Sequence, residues 1–279
     1  MKKISCALSL AALLSGCFGP PYPRGGIDTL YPQPPRPQLK QVQAGGRSLQ
    51  VSVMAGTAGA TPLFFVHGSP GDWKAWAHYL DDPALAGYGN RYAFDRPGYG
   101  GSGAGDMIPD LQAQADVLAA AIKTLEPGQR VIVVGHSLGG PLISWLTLAH
   151  ADQVCGGVMI AGSVAPDLEA PRWYNHFASS TIGSWITPSE MLWSNVEITS
   201  LQGELRKLDV AWPRLQRPLV AIQGDKDELV DPRTADHLQQ LAPSNWLRVI
   251  RVPDQGHFVL WERPDIVEGA IRSLGCGPG

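Results

Sequence analysis

The chain has 279 residues, 44% of them hydrophobic and 17% charged, with a formal net charge of -3. A chain of this size can bury one large core or two modest ones. Its charge balance supplies neither a basic stripe for nucleic acid nor an acidic tail, so no nucleic-acid partner is expected.

Lys2-Lys3 ahead of the apolar run Ile4 to Leu14 reads as an export signal, too short to span a bilayer as a mature helix. The run ends in Leu14-Ser15-Gly16-Cys17, which resembles the lipobox of bacterial lipoproteins. That resemblance implies a signal peptide over 1–16, cleavage before Cys17 and a lipid on its thiol, hence a membrane partner through the anchor. Phe18 stands where that family's inner-membrane retention signal places Asp, which implies the periplasmic side of the outer membrane in a Gram-negative host. The alternative is an ordinary secretory signal with a chance cysteine. Proline dominates from Pro20 to Pro37, so residues 17–38 read as an extended polyproline tether of about 3.1 Å per residue. Cys6 leaves with the signal, and Cys155 and Cys276 remain in an oxidising compartment, either paired or as two thiols.

The folded part is expected over 39–279. Leu39 to Gln43 and Leu49 to Met54 flank Ala44-Gly45-Gly46-Arg47 and read as a β-hairpin. Strand-like and helix-like segments then alternate. Leu63 to Val66 precedes a helix expected over Trp73 to Leu85, and Tyr92 to Phe94 precedes one expected from about Asp106 to Leu125. In that second helix Leu111, Ala115, Leu118, Ala119 and Ile122 fall on one face. Val131 to Val134, Gly156 to Ile160, Leu219 to Ile222 and Leu247 to Ile250 read as further strands, with helices over Pro232 to Leu241 and Pro264 to Leu274. Unbroken apolar strands between helices predict an α/β fold, a mostly parallel central sheet with helices on both faces. Roughly 163–213 breaks the alternation with scattered prolines, six aromatics from Trp173 to Trp212 and short helical patches. It reads as a cap inserted between the sixth and seventh strands, over the sheet's carboxyl edge. Its aromatics either line a pocket or form the cap's own small core.

Gly135-His136-Ser137-Leu138-Gly139 lies between a strand and a helix, the setting of a nucleophile elbow that lifts one serine hydroxyl off the sheet edge. A serine hydroxyl needs a base, and the base works best when a carboxylate fixes its tautomer. His257 follows the Leu247 strand, and Asp227 follows the Leu219 strand, so the chain order is Ser137, Asp227, His257. Asp225, Glu228 and Asp231 compete with Asp227. Asp231 precedes Pro232 and reads better as a helix cap.

With these motifs the chain resembles the α/β-hydrolase family over nearly all of Leu39 to Leu274. His67-Gly68-Ser69-Pro70 is similar to its oxyanion loop, and Asp95-Arg96-Pro97-Gly98-Tyr99-Gly100-Gly101-Ser102 to its signature after the fourth strand. The resemblance implies backbone N–H donors at Ser69 and Leu138 for an oxyanion, and it favours Asp227, three residues after Gly224, as the acid. A family variant with the acid after the sixth strand would use Asp167 instead. His67 and His136 are expected in scaffold roles. Trp73 either packs within its helix or touches substrate.

Gly98 to Gly103 also fits a dinucleotide-binding glycine pattern, but Asp95-Arg96-Pro97 separates it from its strand and no ribose-binding acid ends the next one. Serine at 137 argues against haloalkane dehalogenases and epoxide hydrolases, whose families carry Asp there. The expected activity is carboxylic ester hydrolysis on a small-molecule acyl substrate through an acyl-enzyme. Amide or peptide hydrolysis, perhydrolysis and lactone cleavage are alternatives on the same residues, and a non-catalytic envelope lipoprotein is a different class. No zinc or phosphate-loop pattern occurs, and the chemistry needs no cofactor. The sequence says nothing of oligomeric state.

Overall fold

The apolar runs between glycine-rich turns fold as strands: Gln38–Ala44 (β1), Arg47–Met54 (β2), Leu63–Val66 (β3), Arg91–Phe94 (β4), Val131–His136 (β5), Val154–Ile160 (β6), Leu219–Gly224 (β7) and Leu247–Val252 (β8). The structure is a computed structural model that describes residues 22–171 and 173–276. Cys17 and the export segment lie outside the described residues. Among those described, the eight strands form one sheet in the order β1-β2-β4-β3-β5-β6-β7-β8. The β1–β2 and β2–β4 pairs are antiparallel, and from β4 to β8 the neighbours are parallel.

Helices cover both faces: Leu111–Leu125 (α1), Gly139–Ala149 (α2), Trp173–Ala178 (α3), Thr181–Ile186 (α4), Ser189–Ala211 (α5), Thr234–Leu241 (α6) and Pro264–Ser273 (α7). Successive strand side chains point to opposite faces and so feed two separate cores. Phe64, Val66, Val131 and Val133 join α1 and α2 on one face. Leu63, Phe65, Ile132 and Val134 join Trp76, Tyr79 and α7 on the other. Cys155 on β6 and Cys276 after α7 are joined in a disulfide, with Cα atoms 6.2 Å apart.

Several segments depart from the sequence expectation. The stretch Trp73 to Leu85 is a 3₁₀ turn over Trp73–Trp76, a single α-turn over Ala77–Leu80 and a second 3₁₀ turn from Pro83, because Pro83 cannot continue an α-helix. The helix expected from Asp106 begins at Leu111, after Pro109, where Asp110 accepts from the Ala113 N–H. The helix expected from Pro232 begins at Thr234, with Asp231 Oδ1 accepting from the Arg233 N–H in the turn before it.

The cap is more regular than short patches, since α5 runs for 23 residues. The described part of the proline-rich segment is not an extended spacer. Ile27–Leu30 form a helical turn, Tyr31 is 3% exposed with its hydroxyl on the Ala77 carbonyl, and Tyr22 packs edge-on against Trp261. Tyr22, Ile27, Leu30 and Tyr31 supply an apolar face that packs onto the domain despite Pro23 and the prolines that follow Tyr31.

Candidate active site

β5 and α2 meet in a turn so tight that a Cβ on Gly135 would sit 2.2 Å from the Gly139 carbonyl oxygen. Only glycine permits that approach. The turn leaves Ser137 at φ 54, a left-handed conformation that costs a non-glycine residue roughly 1–2 kcal/mol. The strained residue is held by its own backbone: its N–H donates to Ile160 O and its carbonyl accepts from the Gly140 N–H. Leu138 caps the N-terminus of α2, whose positive dipole end lies next to Ser137, and both residues line one cavity.

The loop after β3 approaches from the other side. A Cβ on Gly68 would lie 2.9 Å from the Ser137 Cβ, so the glycine lets the loop close onto the elbow and puts Ser69 beside it. Ser69, Ser137, Leu138 and His257 all line one cavity of about 350 Å³. Leu168, Ile198 and Leu201 from the cap, with Leu229 and Val230, give it an aliphatic patch, while Ser163, Glu169, Asn175, Glu228 and Asp231 make the rest of the lining polar.

Asp227 sits in the turn after β7 and His257 in the loop after β8. His257 Nδ1 is 2.9 Å from Asp227 Oδ2. The second oxygen, Oδ1, accepts from the backbone N–H groups of Leu229 and Val230, each at 2.9 Å, and Gln223 donates to Oδ2 at 3.1 Å. Burial pushes the Asp227 carboxyl up. The hydrogen bond and charge of His257, then the two backbone donors, outweigh it and hold the group below the usual carboxylate range. An ionised acceptor fixed from both sides keeps the His257 proton on Nδ1 and leaves Nε2 as the basic atom.

His136 supports this loop by donating from Nε2 to the His257 carbonyl at 2.9 Å. Burial first, then the nearby His257, pull the His136 imidazole down to about 3, so it is a neutral strut.

The competing carboxylates lie elsewhere. Asp225 is an exposed partner of Arg251, and Asp167, exposed ahead of α3, faces Arg206 at 3.5 Å. Glu228 and Asp231 line the cavity rim, but Asp231 pairs with Arg233. Among the described residues Asp227 is the carboxylate hydrogen-bonded to His257. The cap aromatics split in a way the sequence did not predict. Trp212 is fully buried in the core, while Phe177 and Trp185 are exposed, and no described tryptophan, tyrosine or phenylalanine lines the cavity. Trp73 is core, 4% exposed, with its backbone N–H donating to Asp95 Oδ1.

One constellation has almost no signal in the sequence. Arg96 and Glu197, both fully buried, pair at 2.7 Å between the signature loop after β4 and α5 of the cap. Arg96 belongs to that signature motif, but Glu197 is marked only by its helical spacing, three residues after Ser194 and four before Leu201 on the buried face of α5.

Residues 63–270 match the model of the alpha/beta hydrolase family. The dihydrolipoyllysine-residue acetyltransferase component of the acetoin cleaving system of Pseudomonas putida is 26% identical over 271 residues, 87% of this chain and 70% of that protein. Epoxide hydrolase A of Mycobacterium tuberculosis is 30% identical over 137 residues, 48% of this chain and 42% of its own length. The solved structure of an esterase from a Rhodococcus species superimposes with a TM-score of 0.65 at 21% identity, covering 84% of this chain and 97% of that one.

Proposed function

Because this chain belongs to the alpha/beta hydrolase family, we propose that it is a serine hydrolase cleaving a carboxylic ester of a small aliphatic acid through an acyl-enzyme on Ser137. The observation that carries this reading is a strained serine at the mouth of a helix, sharing one cavity with a histidine whose other nitrogen is held by an ionised, fully hydrogen-bonded aspartate. His257 Nε2 takes the Ser137 hydroxyl proton as Oγ bonds the acyl carbon and the carbonyl pair moves onto oxygen. The N–H groups of Ser69 and Leu138 stabilise that oxyanion, each lowering the barrier by on the order of 3 kcal/mol. As the pair returns, the bond to the alcohol breaks and His257 protonates the leaving oxygen. A water deprotonated by His257 then releases the acid.

Leu168, Ile198 and Leu201 offer a compact alkyl acyl group an apolar patch within an otherwise polar cavity. Serine at 137 speaks against transferring the activity of the epoxide hydrolase relative, whose family carries Asp there. Hydrolysis of p-nitrophenyl esters of increasing chain length, with anilides, lactones and an epoxide in parallel, tests the reading. We expect turnover of short and medium esters that exceeds the anilides and leaves the epoxide untouched. Hydrolysis of an anilide or epoxide without ester turnover would overturn it.

The same chain is proposed to be exported and lipidated at Cys17, which would hold it on the periplasmic side of the outer membrane in a Gram-negative host. Support comes from Leu14-Ser15-Gly16-Cys17 and from the Cys155–Cys276 disulfide, a bond that persists in oxidising compartments. Metabolic labelling with an alkynyl fatty acid should mark the wild-type chain and not Cys17→Ala. Equal labelling of both would sink the anchor.

A further inference from the structure

The amide that would donate to the oxyanion from the loop side is the N–H of Ser69, and it shares one peptide unit with the carbonyl of Gly68. That peptide is trans, so its C=O and N–H point in opposite directions. Whatever holds the Gly68 oxygen therefore aims the Ser69 N–H. Two groups hold it: Arg96 Nη2 donates to it at 2.9 Å and His67 Nδ1 at 2.7 Å. His67 Nε2 accepts from the Arg96 N–H at 3.0 Å, which puts the imidazole proton on Nδ1, facing Gly68.

Arg96 is in turn held from the cap. Its Nη1 and Nη2 donate to Glu197 Oε1 and Oε2 at 2.7 and 3.0 Å, a two-pronged pair with no solvent contact. Gln114 bridges the two, donating to Glu197 Oε1 and accepting from Arg96 Nη1, each at 2.9 Å. Glu197 Oε2 also accepts from the Ser69 hydroxyl and the Tyr99 hydroxyl, both at 2.7 Å. One carboxylate on the cap thus grips the Ser69 side chain directly and the carbonyl behind its N–H through Arg96. A guanidinium this deeply buried needs a counter-charge, and among the described residues the carboxylate paired with it is Glu197 on α5.

We propose that Glu197 is a positioning residue that sets the orientation of the 68–69 peptide through Arg96 and the Ser69 hydroxyl, so that the cap helix takes part in aiming the oxyanion donor. The inference rests on the reading of Ser69 as an oxyanion donor. It makes the cap part of the catalytic alignment, not only a wall of the acyl cavity. Glu197 is kept ionised in this position. Burial pushes its pKa up, but the Arg96 charge and the donors around it hold it below the usual range.

Glu197→Gln keeps the shape and removes the charge that fixes Arg96. For the best ester we expect kcat to fall about 10- to 100-fold with KM nearly unchanged. The inhibition constant of an alkylboronic acid, which forms a tetrahedral adduct on the serine, should weaken by the same factor. Arg96→Met combined with Glu197→Met removes both charges together. That variant should regain thermal stability over Glu197→Gln while kcat and boronate affinity stay low, because the Gly68 oxygen has lost its Arg96 donor and keeps only His67. Glu197→Gln with kcat and boronate affinity within two-fold of wild type, or recovery of both in the double variant, would overturn the inference while leaving the proposed activity intact. A wild-type protein without ester turnover would overturn the activity itself, and this inference with it.

Discussion

Ser137→Ala is expected to remove the proposed ester turnover, with kcat falling about 10⁶-fold, and to leave a folded protein. A loss that large is expected because, in the proposed mechanism, the hydroxyl forms the acyl-enzyme, and the proposed donors at Ser69 and Leu138 would then only polarise a carbonyl for attack by water. The fold survives because the elbow is held by backbone, through Ser137 N–H on Ile160 O and Gly140 N–H on Ser137 O, which alanine keeps. His257→Ala falls as far, and the pair of substitutions together falls little further, since serine and histidine act as one unit. Steady-state rates on a p-nitrophenyl ester, read beside thermal melts, check all three variants. Near-wild-type activity in Ser137→Ala would refute the nucleophile.

Asp227→Asn costs about 10⁴-fold in kcat, and the reason is a hydrogen-bonding conflict. The carboxylate accepts on both sides, from Leu229 and Val230 at Oδ1 and from His257 and Gln223 at Oδ2. An asparagine has one acceptor oxygen. If its amide nitrogen faces His257, the imidazole must present a bare Nδ1 and carry its proton on Nε2, where it can no longer take the serine proton. If the nitrogen faces the backbone instead, two buried N–H donors lose their acceptor and stability falls. Asp225→Asn and Asp167→Asn, whose partners are Arg251 and Arg206, should stay close to wild type. Acid stability carries a second signature. The folded Asp227 carboxyl titrates below its ordinary range, so it contributes stability at neutral pH that is lost as pH falls through that lower range. Asp227→Asn should flatten that part of the acid-unfolding profile, and an unchanged profile would contradict the assignment.

The strands and the three side chains around the cavity were legible because each rests on a local signal. Val131 to Val134 is an apolar run ended by glycine, and Asp227 and His257 each follow a strand of the same kind. The length of α5 was hidden because its inward face carries Ser194, Asn195, Glu197 and Glu204 beside Leu201, Leu205 and Leu208. A buried charge breaks the apolar periodicity by which a helix is recognised. Glu204 sits inward because its carboxylate accepts from the Leu111 N–H, an unpaired donor at the start of α1. Those partners are distant in sequence, so no window around α5 could reveal them. The docked segment before β1 was hidden in the same manner: prolines set its local stiffness, but Tyr31 is buried in the core it shares with Met54 and Trp76, its hydroxyl on the Ala77 carbonyl. The Cys155–Cys276 bridge joins residues 121 apart, and spacing says nothing of such a pair.

Whether Ser137 is the acyl-accepting nucleophile is best decided by labelling the folded protein with a fluorophosphonate, followed by intact-mass measurement and peptide mapping. One adduct per chain is expected, located on Ser137, absent from Ser137→Ala and formed far more slowly in His257→Ala. No adduct on folded wild-type protein, or an adduct on another residue, would contradict the assignment.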